Sequence, residues 1–105
     1  MRVLVVGGTG FVGRHLVASL LERGHTPLVL SRNPKNLPQG AVFLRGDITR
    51  DVPELKEAEA AIYLAGIIRE RGQTFRQVHV EGVKNLIQGL RGAGVDRLLH
   101  MSALG

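Results

Sequence analysis

The chain contains no cysteine, which excludes a disulfide framework and a thiolate zinc site. Its four histidines are isolated in sequence, without ligand spacing, so no metal site is expected. No apolar run approaches the roughly 18 residues of a membrane-spanning helix, and no basic stretch precedes a long apolar one at the start. A cytoplasmic protein without membrane insertion is therefore expected. Acids are fewer than bases, 9 against 14, for a formal net charge of +5. The arginines are scattered among acids and form no run, which argues against nucleic-acid binding and leaves a basic surface able to draw in an anionic ligand. There is no internal repeat, low-complexity tail or linker. With 105 residues, 44% of them hydrophobic, one core and one compact unit are expected.

What is present is concentrated at the start. Val3-Leu4-Val5-Val6 stands directly before Gly7-Gly8-Thr9-Gly10-Phe11-Val12-Gly13, and Leu16, Val17, Leu20 and Leu21 follow at helical spacing. Four aliphatics in a row suit a strand buried on both faces of a parallel sheet. Three glycines spaced three apart then serve three needs: Gly7 the tight turn, Gly10 the approach of backbone N–H groups to a pyrophosphate, Gly13 the close packing of helix on strand. The helix N-terminus supplies the anion site. A glycine-rich turn that binds nothing is the alternative. The strand before and the helix after the motif favour a dinucleotide. No Gly-Lys-Ser/Thr closes the loop, and Arg14 follows its last glycine, so it is not a nucleoside triphosphatase loop.

Strand and helix patterns alternate through the rest of the chain. The first helix runs from the loop to a glycine cap at Gly24, with Val12 in its apolar stripe. A second strand over 26–30 carries Pro27 near its start, where a missing donor is tolerated. Residues 33–40 are turn chemistry. A third strand over 41–44 exits through Asp47-Ile48. Residues 53–56 can start a short helix, Pro53 suiting its first turn. A fourth strand over 60–65 ends at Gly66, where an absent side chain lets a cofactor lie against the backbone. Thr74 and Gln77 form a capping box for a long helix to Gly92, whose apolar stripe includes Phe75, Val78, Val83, Leu86, Ile87 and Leu90. A fifth strand over 95–101 ends beside Ser102. The expected fold is α/β, a doubly wound parallel sheet (Rossmann) with five strands in the order 3-2-1-4-5 and its crevice between strands one and four.

At these residues the chain resembles the short-chain dehydrogenase/reductase superfamily, in its extended and atypical branches. These contain sugar-nucleotide epimerases and the nucleotide-binding accessory subunit of respiratory complex I. The glycine loop is similar to the family's cofactor loop, Asp47-Ile48 to its acidic-hydrophobic pair at the adenine amino group, and Leu64-Ala65-Gly66 to its segment against the cofactor ribose. Residues 80–86 and 94–102 resemble its long helix and the strand bearing its catalytic Ser or Thr. The resemblance covers the whole chain. It implies a cofactor site of Gly7, Thr9, Gly10, Phe11, Val12, Gly13, Ser31, Arg32, Asp47, Ile48, Leu64, Ala65 and Gly66, holding NADP or NAD. It implies an oxidoreductase or epimerase parent.

The family's Tyr-x-x-x-Lys pair is missing from the sequence. The only tyrosine, Tyr63, lies inside a predicted strand with Ile67 four residues on, so it is read as core. Ser102 is the catalytic candidate that remains: either it hydrogen-bonds a substrate or it satisfies local backbone, and without a partner base it does nothing alone. His79 stands where extended members often carry Asn, which points to the atypical branch. His100 is read as a partly buried structural residue, and His15 and His25 as surface. Residues 1–105 are expected to form an NAD(P)-binding domain incomplete at its C-terminus, as the N-terminal part of a larger domain. The alternative is a noncatalytic NAD(P)-binding subunit or redox sensor. The partners expected are the dinucleotide and, with an apolar sheet edge exposed, further copies or a larger assembly. No acid occurs between Glu22 and Asp47, while Ser31 and Arg32 end the second strand; this favours NADP, whose 2′-phosphate an Arg can pair.

Overall fold

The computed structural model describes residues 1–7, 11–32, 37–50, 52–55, 57–65 and 77–102, with residues 11, 65, 77–79 and 100–102 described by backbone alone. Strands β1 (Arg2–Val6), β2 (Thr26–Ser31), β3 (Val42–Arg45), β4 (Ala60–Ala65) and β5 (Leu98–Ser102) form one sheet in the order β3-β2-β1-β4-β5. Every pairing is parallel, as expected. Helix α1 (Phe11–Glu22) joins β1 to β2, and α2 (Val83–Ala93) precedes β5.

The aliphatic run of β1 is explained by its two buried faces. Val3 and Val5 enter one core with Val17 of α1, Val29 and Leu64; Leu4 and Val6 enter the other with Leu28, Leu30, Tyr63, and Leu86 and Leu90 of α2. Period-two alternation thus divides one apolar strand between two layers. Burying a side chain such as Leu86 contributes about 1.5–3 kcal/mol. Pro27 pairs with Val3 in register, whereas β3 joins β2 only from Leu28 onward. The Thr26 N–H donates to the Met1 carbonyl at 3.0 Å, so strand alternation turns the proline nitrogen to the β3 side, before that ladder begins.

Several boundaries depart from the sequence reading. Ala41 stays outside β3 because its N–H closes a turn on the Pro38 carbonyl, at 3.2 Å. Val95 likewise stays outside β5: its N–H donates to the Leu90 carbonyl at 2.9 Å, just after Gly94 takes φ 75°. The Ala61 N–H reaches the Arg97 carbonyl at 2.9 Å, and the ladder starts there. Residues 52–55 form no helix. Leu55 and Ala58 both turn into the core, the Ala58 N–H donates to the Leu55 carbonyl at 2.9 Å, and the Glu59 N–H already bonds the Arg2 carbonyl.

The long helix expected before β5 is also corrected. Gln77–Gly82 is π-helical and only Val83–Ala93 is α-helical. The apolar stripe read from the sequence takes a five-residue step from position 78 to 83, about 140° out of phase in an α-helix; a wider turn accommodates that step. Gly82 is buried at the junction. Both apolar stripes are narrower than expected, since Val12 is 38% and Ile87 36% exposed. The capping box at Thr74 and Gln77 lies outside the residues described with side chains.

Candidate cofactor site

At the carboxyl edge of the sheet the chain leaves β1 toward β2 on one side, while β4 lies on the other. This divergence opens the crevice where ligands bind in open parallel sheets. Gly7 turns there with φ 95°, a conformation that L side chains rarely adopt. Helix α1 begins only four residues later at Phe11, with no acidic residue in its first turn to offset the positive end of its dipole. Gly13 is buried in that turn, allowing close packing of the helix. Thr9, Gly10 and Gly66 lie outside the described residues, as do the side chains of Phe11 and Ala65. Val12 is partly exposed.

A second group gathers where β2 and β3 end. The Gly46 N–H donates to the Ser31 carbonyl at 3.1 Å, tying the two exits together, and Ser31 is buried. Beyond it the Arg32 side chain, 38% exposed, places Nη1 3.8 Å from Oδ2 of Asp47, whose side chain is 12% exposed. Oδ1 of Asp47 accepts from the Thr49 N–H at 2.9 Å and from the Thr49 hydroxyl at 2.6 Å. Ile48 drops its side chain into the core, and its carbonyl accepts from Nδ2 of Asn85 at 2.8 Å. Sequence reasoning named Ser31, Arg32 and Asp47 but missed Thr49 and Asn85. The Asp-x-Thr spacing of a side-chain-to-backbone turn was the available signal for Thr49. For Asn85 the only hint was an amide beside the apolar stripe of a helix.

The remaining candidates fall on β4 and β5. Leu64 is fully buried, so any ligand contact it makes runs through its main chain. Ser102 ends β5 opposite Ala65 at the same carboxyl edge, its side chain outside the description. Tyr63 is 1% exposed in the α2-side core, and burial pushes its phenol up to about 12. That removes it from proton transfer near neutral pH. Elsewhere an open groove of about 530 Å³ is lined by Met1, Val3, Leu20, His25, Leu98 and Leu99, at the amino edge, away from the crevice. Among the described residues no group of three or more His, Cys, Asp or Glu could hold a metal ion, and no helix is long and apolar enough to cross a membrane.

A parallel sheet in this order, with a left-handed glycine leading into a helix at its switch point, defines a Rossmann-type nucleotide-binding domain. The particular family follows from comparison. Residues 3–104 match the NAD dependent epimerase/dehydratase family, and the chain belongs to it. It is 35% identical to a photosystem II assembly factor of Synechocystis sp., over 99% of this chain and 34% of that protein. It is 37% identical to a 3-beta-hydroxysteroid dehydrogenase of Mycolicibacterium neoaurum, over 97% of this chain and 32% of that one. Among solved structures, the UDP-glucose 4-epimerase of Thermus thermophilus in complex with NAD superposes with a TM-score of 0.71 at 30% identity, covering 93% of this chain and 36% of the epimerase. The chain thus spans about a third of the length of these relatives.

Proposed function

We propose that residues 1–105 hold the dinucleotide of an oxidoreductase- or epimerase-type short-chain dehydrogenase/reductase, and that the cofactor is NADP in preference to NAD. When bound, the nicotinamide supplies hydride transfer. The chain's own residues would bind and orient it. Gly7, Thr9, Gly10, Phe11, Val12 and Gly13 would carry the pyrophosphate, their backbone N–H groups and the α1 N-terminus facing its charge. Asp47 and the Ile48 main chain would take the adenine, Leu64, Ala65 and Gly66 the ribose side, and Ser102 a substrate oxygen. The observation that carries this reading is Gly7 at φ 95° between the end of β1 and the start of α1.

The preference for NADP rests on the exit of β2. An NAD-selective site places a carboxylate there to take the ribose hydroxyls and repel a 2′-phosphate. Ser31 and Arg32 stand in that place, and the guanidinium is open to solvent on one side. Arg32→Gln should weaken NADP binding about tenfold, the scale of one charge-assisted hydrogen bond, and leave NAD nearly unchanged. Ser31→Asp should turn the ratio toward NAD. Titration of both cofactors at fixed salt tests this; equal affinities in the parent chain, or a ratio unmoved in both variants, removes Arg32 from the site.

The 35% identity to an assembly factor, together with Leu98 and Leu99 at 39% and 56% exposure on β5, supports a noncatalytic nucleotide-binding subunit that docks in a larger assembly. A Tyr-x-x-x-Lys pair encoded beyond position 105 would decide for the enzyme.

A further inference from the structure

We infer that Asn85 is a positioning residue for the adenine end of the cofactor site, acting through the main chain of Ile48 on Asp47. The inference rests on the assignment of Asp47 to the adenine amino group made above. The turn after β3 is held from below and from the side. Below, the Ile48 side chain sits in the α2-side core at 5% exposure with Leu86 and Leu90. From the side, Asn85 donates Nδ2 to the Ile48 carbonyl at 2.8 Å, across 37 residues of sequence. The amide is half-buried and lies next to Leu86, which is fully buried, so its helix cannot shift without disturbing the core.

This tie matters because of what it leaves to Asp47. Thr49 holds Oδ1 through two hydrogen bonds, but Thr49 belongs to the same turn and moves with it. Arg32 stands 3.8 Å from Oδ2 on a half-exposed side chain. The Gly46 N–H ties the start of the turn to buried Ser31 of β2 at 3.1 Å, and the Asn85 bond ties its far side, beyond Asp47, to α2. With Ile48 anchored at both its side chain and its carbonyl, the carboxylate one residue earlier keeps one height and direction at the crevice. A carboxylate so placed accepts from an exocyclic amino group and opposes a carbonyl oxygen in the same position. Discrimination between a 6-amino and a 6-oxo purine therefore depends on Asn85, although Asn85 touches neither.

The test compares NAD with its hypoxanthine analogue, in which a carbonyl replaces the 6-amino group, by direct binding to the 105-residue chain. The parent should prefer NAD, and Asp47→Asn should lose most of that preference. Asn85→Ala and Asn85→Asp, the second isosteric but unable to donate as a carboxylate, should each lower the ratio of affinities at least about threefold, through weaker NAD binding. A structural role alone would lower the melting temperature and weaken both ligands equally. Equal weakening, or an unchanged ratio, in the Asn85 variants overturns the inference while the Asp47→Asn result stands. A ratio unmoved by Asp47→Asn overturns the assignment of Asp47, and this inference with it.

Discussion

Tyr63 shows how one residue's surroundings decide its chemistry. The tyrosine that catalyses in short-chain dehydrogenases needs a pKa drawn down toward neutrality, and this one is driven the other way, to about 12, by burial in the α2-side core. The sign for stability follows from linkage: the folded pKa lies above the unfolded value near 10, so the contribution is complete below about pH 10 and is lost between roughly pH 10 and 12. A spectrophotometric titration of this single tyrosine should show no phenolate below about pH 11 in folded protein, then ionisation coincident with unfolding. Phenolate appearing near pH 10 without unfolding would place the ring at the surface. The core role of Tyr63 was legible because an aromatic inside an aliphatic strand has one good place to go. Asp47 drew notice in the sequence at the exit of the third strand, but its grip by Thr49 and the tie from Asn85 to Ile48 were not foreseen. The Asp-x-Thr spacing carried a signal for Thr49, whereas Asn85 required knowing which helix face meets a loop 37 residues away.

At the scale of elements, the glycines around the end of α2 separate two physical causes. Gly92 lies in the helix with nothing within 4 Å of an added Cβ, whereas Gly94 caps it at φ 75° in the left-handed region. Gly92→Ala should stabilise the fold by about 0.5–1 kcal/mol through helix propensity, and Gly94→Ala should destabilise it by about 1 kcal/mol through backbone strain. Chemical denaturation of the two variants checks this. Opposite signs are expected, and a stabilising Gly94→Ala would contradict the cap. Element type was readable wherever periodicity was strong: β1, α1, β2 and β4 follow from buried aliphatic runs and helical spacing. It failed at residues 52–55, where Pro53 suited a helix start, but Leu55 and Ala58 are both drawn into the core and the Glu59 N–H already bonds the Arg2 carbonyl. It failed also at Gln77–Gly82, because a π-helical segment leaves little trace in sequence beyond a five-residue step.

Across the whole molecule the order of strands was the most legible feature, since parallel strands joined by crossovers and a glycine motif after the first allow few topologies. The order places Gly7 and Gly13 on one flank of the crevice and Arg32 and Asp47 farther along the same edge, so a dinucleotide would lie across the ends of β1, β2 and β3. The proposed site depends on the glycine loop carrying the pyrophosphate. Isothermal titration of NADP and NAD into the parent chain and into Gly10→Val tests it most directly, with circular dichroism of both proteins to follow the sheet. Saturable binding by the parent and at least about a hundredfold weaker binding by the variant are expected, with secondary structure retained, because a branched side chain would stand where the backbone is to meet the phosphates. Equal affinities in the two proteins, with equal melting temperatures, would contradict it.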